Sequence, residues 1–426
     1  MKRLFLIVFT FLASTFLTVN AQKQININNL KSNFAKSENK QKYYANLIKN
    51  CEDIFSNGVG DIKKWNKALR DAQTILLKNK FVFTGIKKIL DINTDEQKKI
   101  QQTALEVAYT LYPKEFEENV KDIFYKTNDP ISYAIATNYL LRLNSNPKIE
   151  LYKNELIQRF DNFRNSTILN SLYNDLEGQN KLQYDNRPDL NSLLIHSFQD
   201  KKNIIYSFFR KNRNYPGISI IKGPDGKFIR NDDNSLFFIP QLAISFSNLP
   251  SYIPNGNTPQ GIYSIVGTYI SPTETIGPTP NILVRSPFEV SPSIFYHRKN
   301  QKNNWNIEDY INLIPKDWKN YEPIFESFYT GKSGRKLIII HGSTDETKYF
   351  KNEKYFPLTP TRGCLSSYEE WDINGKCKKS DQLKLINAFR RTGTSKGFLV
   401  VVEIDNQEKP VEIKEIESLI RDRNDQ

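Results

Sequence analysis

Near residue 200 the spacing of apolar residues changes, and a chain with that change must be built in two different ways. Before it, apolar residues recur at helical intervals. Leu105, Ala108, Tyr109 and Tyr112 fall on one helical face, as do Phe116, Val120, Ile123 and Phe124, and then Tyr133, Ala136, Leu140 and Leu143. Thr94 with Gln97 reads as a capping box. Asp129-Pro130 and Asn146-Pro147 each place a capping side chain before a proline in a first helical turn. Pro113, Pro130 and Pro147 are evenly spaced, at one helix plus one turn. Residues 22–200 are therefore expected to form an all-helical array, stacked in the manner of a solenoid although no repeat signature is present. Gly58 and Gly60 read as a turn between helices.

From about Asn203 the chain reads as short β-rich runs separated by Gly, Pro and Asn turns: 204–209, 218–221, 228–230, 236–239, 261–269, 281–284, 336–340 and 397–404. This predicts a mostly antiparallel β domain over 203–405. A helix is expected over 381–391, capped by Ser380 or Asp381. Residues 299–330 read as an insertion of small helices over the sheet, and 406–426 as a tail with helical character. Together these give a multidomain α plus β chain.

Composition limits the function classes. The chain has 426 residues and a formal charge of +13. With 3 cysteines and 3 histidines it is too poor in ligands for a Cys-rich zinc site or a disulfide scaffold. Lys2 and Arg3 precede a mostly apolar stretch from Leu4 to Val19, and Ala21 offers a small residue at a cleavage point. Residues 1–21 read as a secretory signal peptide. The protein is then exported, to the periplasm or cell envelope, and touches the membrane only through that leader. Export sets nucleic acid aside as a partner. The basic charge then points to envelope polymers or is merely compositional.

Chemistry concentrates between His341 and Cys364. His341 follows the apolar run Leu337 to Ile340 and precedes Gly342. Cys364 sits in Thr361-Arg362-Gly363-Cys364-Leu365-Ser366, where Arg362 supplies charge that favours thiolate and Gly363 opens backbone N–H groups to a ligand. A thiol beside an imidazole makes an activated nucleophile with its base.

Three segments, in order, resemble the L,D-transpeptidase catalytic domain of the YkuD type. Thr258-Pro259-Gln260-Gly261-Ile262-Tyr263 is similar to that family's entry strand, Ile340-His341-Gly342 to its histidine motif, and Thr361-Arg362-Gly363-Cys364-Leu365 to its nucleophile motif. The resemblance spans about residues 203–405. It implies a β-sandwich-like fold and acyl transfer on peptidoglycan stem peptides, giving 3→3 cross-links in cell wall biogenesis and cell shape, with neither metal nor cofactor. On this reading Cys364 is the nucleophile and His341 the general base, oriented by the backbone carbonyl of Gly342. Backbone N–H groups of Gly363 and Cys364, with Arg362, would stabilise the oxyanion. Arg362, Thr361 and Ser366 would contact substrate. The chain departs from the family where Ser366 replaces the usual Arg or Asn, in a longer loop around 348–355, and in residues 299–330.

The resemblance leaves residues 22–200 unexplained; a placement role on an envelope protein partner or the wall polymer is the expectation. Cys51 and Cys377 are expected as free thiols, with a Cys51–Cys377 bridge or a Cys364–Cys377 switch as alternatives. His196 and His297 read as structural. The same site using water would be an L,D-carboxypeptidase or cross-link hydrolase. A non-catalytic wall-binding scaffold is the reading from another class.

Overall fold

The computed structural model describes residues 24–92, 98–178, 187–198, 202–299 and 304–421. The leader at 1–21 and the capping box of Thr94 and Gln97 lie outside these residues.

Among the described residues nine α-helices precede the sheet: α1 (Ser37–Ser56), α2 (Ile62–Thr74), α3 (Lys80–Leu90), α4 (Lys98–Leu111), α5 (Glu117–Lys126), α6 (Pro130–Leu143), α7 (Ile149–Arg159), α8 (Thr167–Leu176) and the short α9 (Leu190–Ile195). Side chains start several of them. Asp61 accepts from Lys63 N and Lys64 N, Asn79 from Val82 N, and Asp129 from Ser132 N at 2.7 Å ahead of Pro130. The cap expected at Asn146 is absent: α7 begins beyond Pro147, at Ile149, behind the uncapping Lys148.

The helices stack in two layers. α1 packs on α3 and α3 on α5, while α2 packs on α4, α4 on α6 and α6 on α8. The predicted stripes meet inside, where Leu105, Ala108, Phe116, Val120, Phe124, Tyr133 and Ala136 are buried in one apolar cluster. Burial of this extent is the main stabilising term, since short helices are marginal alone.

Ten strands follow among the described residues: β1 (Asn203–Arg210), β2 (Gly217–Lys222), β3 (Ile239–Gln241), β4 (Gly261–Tyr269), β5 (Asn281–Arg285), β6 (Ile339–His341), β7 (Leu365–Ser366), β8 (Glu369–Trp371), β9 (Cys377–Ser380) and β10 (Gly397–Asp405). Eight form one sheet in the order β3-β2-β1-β10-β4-β5-β6-β7, antiparallel except at β1–β10 and β6–β7. Leu242, just past β3, bridges Ser366 of β7 with two backbone bonds of 2.9 Å. The two edges thus meet, and the sheet is nearly closed into a barrel rather than split into the two packed sheets of a sandwich.

Side-chain alternation along β1 sorts the two cores. Ile205 and Phe209 join Tyr263, Ile340, Leu365 and the helix Asp381–Arg391 on one face. Ser380 caps that helix: its hydroxyl accepts from Leu383 N at 2.8 Å while donating to Glu369 Oε1 at 2.6 Å. Ile204, Tyr206 and Phe208 pack on the other face with Trp318, Ile324 and Phe325 of the insertion and with Val411 and Ile416 of the tail, which is helical over Ile413–Arg421. Gly261 (φ 127°) lets β4 approach Tyr310, whose hydroxyl accepts from Ile262 N at 2.7 Å.

The division at residue 200 is less sharp than the sequence implied. Leu190, Leu193 and Leu194 pack in the sheet core. Leu30, near the start, packs against Cys377 and Leu383. In return, Leu249 and Ile253 of the β region are fully buried in the helical core. Among the described residues, no helix is long and apolar enough to cross a membrane.

Candidate active site

β6 carries His341 and lies parallel to β7, with Ile340 opposite Leu365 and His341 opposite Ser366. Ile340 and Leu365 are fully buried in the core. Cys364 immediately precedes β7, so this pairing brings the backbone that carries it alongside β6, the strand that ends in His341.

The imidazole is fixed by its own turn: Nδ1 lies 2.6 Å from the carbonyl oxygen of Gly342. That contact requires the proton on Nδ1 and leaves Nε2 as the basic nitrogen. A methyl group at 342 would collide with the Glu369 carboxylate, so Gly342 is held between His341 and Glu369. Glu369 in turn accepts from Thr279 Oγ1 and Ser380 Oγ, each at 2.6 Å.

Cys364 is half-buried and its Sγ lies 3.5 Å from Leu337 O. Leu337 takes a left-handed φ of 64°, strained for leucine, where the sequence had predicted regular strand from 336. Burial pushes the Cys364 thiol up, opposed by the Ile339 N–H and the charge of Arg335. Burial also lowers His341, against the Gly342 hydrogen bond. Both directions favour a neutral thiol and a neutral imidazole over an ion pair, so attack needs general-base assistance.

The charge assignment differs from the sequence reading. Arg335, which that reading passed over, is the cation behind the thiol. Its guanidinium donates to Ser251 O (2.7 Å), Ile253 O (3.1 Å) and Gly256 O (2.5 Å), and a methyl at Gly363 (φ 97°) would collide with it. Arg362 is exposed and lies within electrostatic range of Arg70, Asp71 and Glu106 on the helices.

The nucleophile turn is organised by Thr361. Its Oγ1 accepts from Gly363 N (3.0 Å) and Cys364 N (2.7 Å) and donates to Cys364 O (2.9 Å). The N–H groups of Gly363 and Cys364 expected at an oxyanion are therefore engaged here, and Thr361 organises the loop instead of facing a ligand. Ser366 is buried, with its hydroxyl on Thr359 O at 2.6 Å, which removes it from substrate contact. Thr258, of the entry-strand motif, donates to Gly363 O at 3.1 Å across 105 residues.

Elsewhere, Cys51 and Cys377 are buried free thiols. His196 Nε2 meets Leu313 O at 3.1 Å and His297 Nε2 meets Gly397 O at 2.9 Å, both backbone contacts. Among the described residues no group of three His, Cys, Asp or Glu side chains is placed to hold a metal ion.

The helical stack lies against this region. Tyr44 donates to Asp345 Oδ1 and accepts from Glu346 N, both at 3.1 Å. Asn138 donates to Tyr252 Oη at 3.2 Å. Both layers thus touch the β region, one through Tyr44 of α1 and the other through Asn138 of α6, whereas the sequence reading had given the array only a placement role on a partner. No family model, curated protein or solved structure matches the chain.

Proposed function

We propose that this chain is an exported cysteine L,D-transpeptidase that cross-links peptidoglycan stem peptides through an acyl-enzyme. The observation that supports the reading is the pairing of β6 with β7, which brings the backbone of Cys364 alongside the strand that ends in His341, whose Nδ1 is tied to Gly342 O. His341 Nε2 takes the thiol proton as Sγ attacks the carbonyl between stem residues three and four. The proton then passes to the departing D-alanine amine, leaving a thioester on Cys364. An acceptor side-chain amine attacks that thioester, gives up a proton to His341, and restores the thiol. Arg362 N–H makes no intramolecular hydrogen bond among the described residues and is the donor we assign to the oxyanion; such a donor is worth about 3 kcal/mol.

The test is mass spectrometry of the protein with a tetrapeptide donor. A thioester adduct on Cys364 with release of D-alanine supports the reading, and an added amine acceptor should discharge it to a cross-linked product. Discharge by water alone would make the protein a carboxypeptidase. No adduct would favour a binding scaffold.

A further inference from the structure

A cavity of about 1110 Å³ lies between the helical stack and the β region, apart from the thiol and imidazole, neither of which lines it. Its walls come from α4, α8, the turn after β1, the segment 248–258 and the insertion around 320–332. It exceeds the roughly 300–1,000 Å³ of pockets for single small molecules.

Its chemistry is specific. Seven asparagines and four tyrosines line it. Four basic and four acidic side chains balance in charge. Of the acidic ones, burial raises Asp175 to about 6 and Glu326 to about 7. Two wall residues also carry buried polar atoms without an intramolecular partner. Arg213, 3% exposed, gives Nε and Nη2 to Glu403 Oε1 at 3.1 and 2.8 Å but has nothing on Nη1. Tyr321, 4% exposed, has nothing on its hydroxyl. Groups so buried normally find a partner, because leaving one unpaired costs about 1–3 kcal/mol. Tyr329, exposed at the rim, offers a ring face.

We propose that this cavity binds a neutral oligosaccharide. A balanced lining gives no advantage to a polyanion or polycation. Amides and hydroxyls pair with ligand hydroxyls, tyrosine rings cover the apolar faces of sugar rings, and Arg213 and Tyr321 supply donors to neutral oxygen acceptors. The volume takes several sugar units rather than one. The cavity touches the nucleophile turn through Thr258, whose hydroxyl donates to Gly363 O. The proposal stands independently of the role of Cys364.

The test is calorimetric titration of the full-length protein with two neutral probes, tetra-N-acetylchitotetraose and maltotetraose. Saturable binding of at least one is expected. Tyr321→Phe removes only the unpartnered hydroxyl, so it should weaken that binding about fivefold while leaving the melting temperature unchanged or raised. Asn170→Ala should weaken it as well, and Cys364→Ala should leave it intact. The proposal is overturned if neither sugar binds at millimolar concentration. It is equally overturned if binding is indifferent to both cavity variants, or if a charged peptide of similar size binds there in preference.

Discussion

Arg335 stands behind Cys364: its guanidinium charge acts on the thiol while its nitrogens hold the carbonyls of Ser251, Ile253 and Gly256. The turn that carries the nucleophile is thus tied to the loop that enters the helical core through Leu249 and Ile253. The geometry of the candidate site and the packing of the two regions share one residue.

Cys364→Ala should abolish the thioester adduct with little change in melting temperature, since one half-buried sulfur is removed. Adduct formation in that variant, read by intact mass, would place the nucleophile elsewhere.

His341→Ala should slow acylation by about 100- to 10,000-fold at neutral pH, the usual contribution of a positioned base. Because burial raises the thiol, residual activity should climb with pH beyond the range of an ordinary cysteine. In the unaltered protein, lowering of His341 predicts loss of rate only below its ordinary value of 6.5. Stopped-flow acylation across pH checks both limbs.

Gly363→Ala should destabilise the fold by about 1–3 kcal/mol and suppress activity. It adds strain at a φ of 97° and drives a methyl into Arg335. Gly58→Ala, where nothing lies within 4 Å, is the control. Equal urea midpoints for the two variants would argue against the packing described.

Stability should fall as pH rises from about 5 to 7. Glu369 and Glu106 are buried and raised from 4.5 to about 7, so between these values the folded state holds protons that the unfolded state has lost. The slope is therefore negative, and each group accounts for a loss on the order of 3 kcal/mol. Glu369→Gln should flatten part of that slope in denaturation curves run at several pH values.

Removing residues 24–178 should cost the β region its stability, contrary to an independent catalytic half. Leu249 and Ile253 would be exposed, and Asp345 would lose Tyr44. Tyr44→Phe is the milder probe: it leaves Glu346 N–H without its acceptor and should cost about 1–3 kcal/mol. A folded, fully active truncated protein would show that the contact is incidental.

The amino-acid sequence by itself determined the elements whose signals are local. The stripes of α4 to α6, the cap and proline opening α6, the span of β4 and the helix capped by Ser380 all follow from spacing and capping chemistry within a few residues. The Cys364 and His341 motifs were legible for the same reason. What only the tertiary structure decided depends on partners distant in the chain. The strands β7 to β9 are too short for a periodic signal. Closure of the sheet rests on Leu242 meeting Ser366. The cation at the thiol was misassigned because Arg362 is adjacent in sequence whereas Arg335 is adjacent only in space. Thr361 and Ser366 carry hydroxyls that suit a ligand or a turn equally, and only their placement against Cys364 and Thr359 chose the turn. The cavity walled by Arg213 and Tyr321 exists only where two differently built halves meet, and no periodicity along either half encodes that meeting.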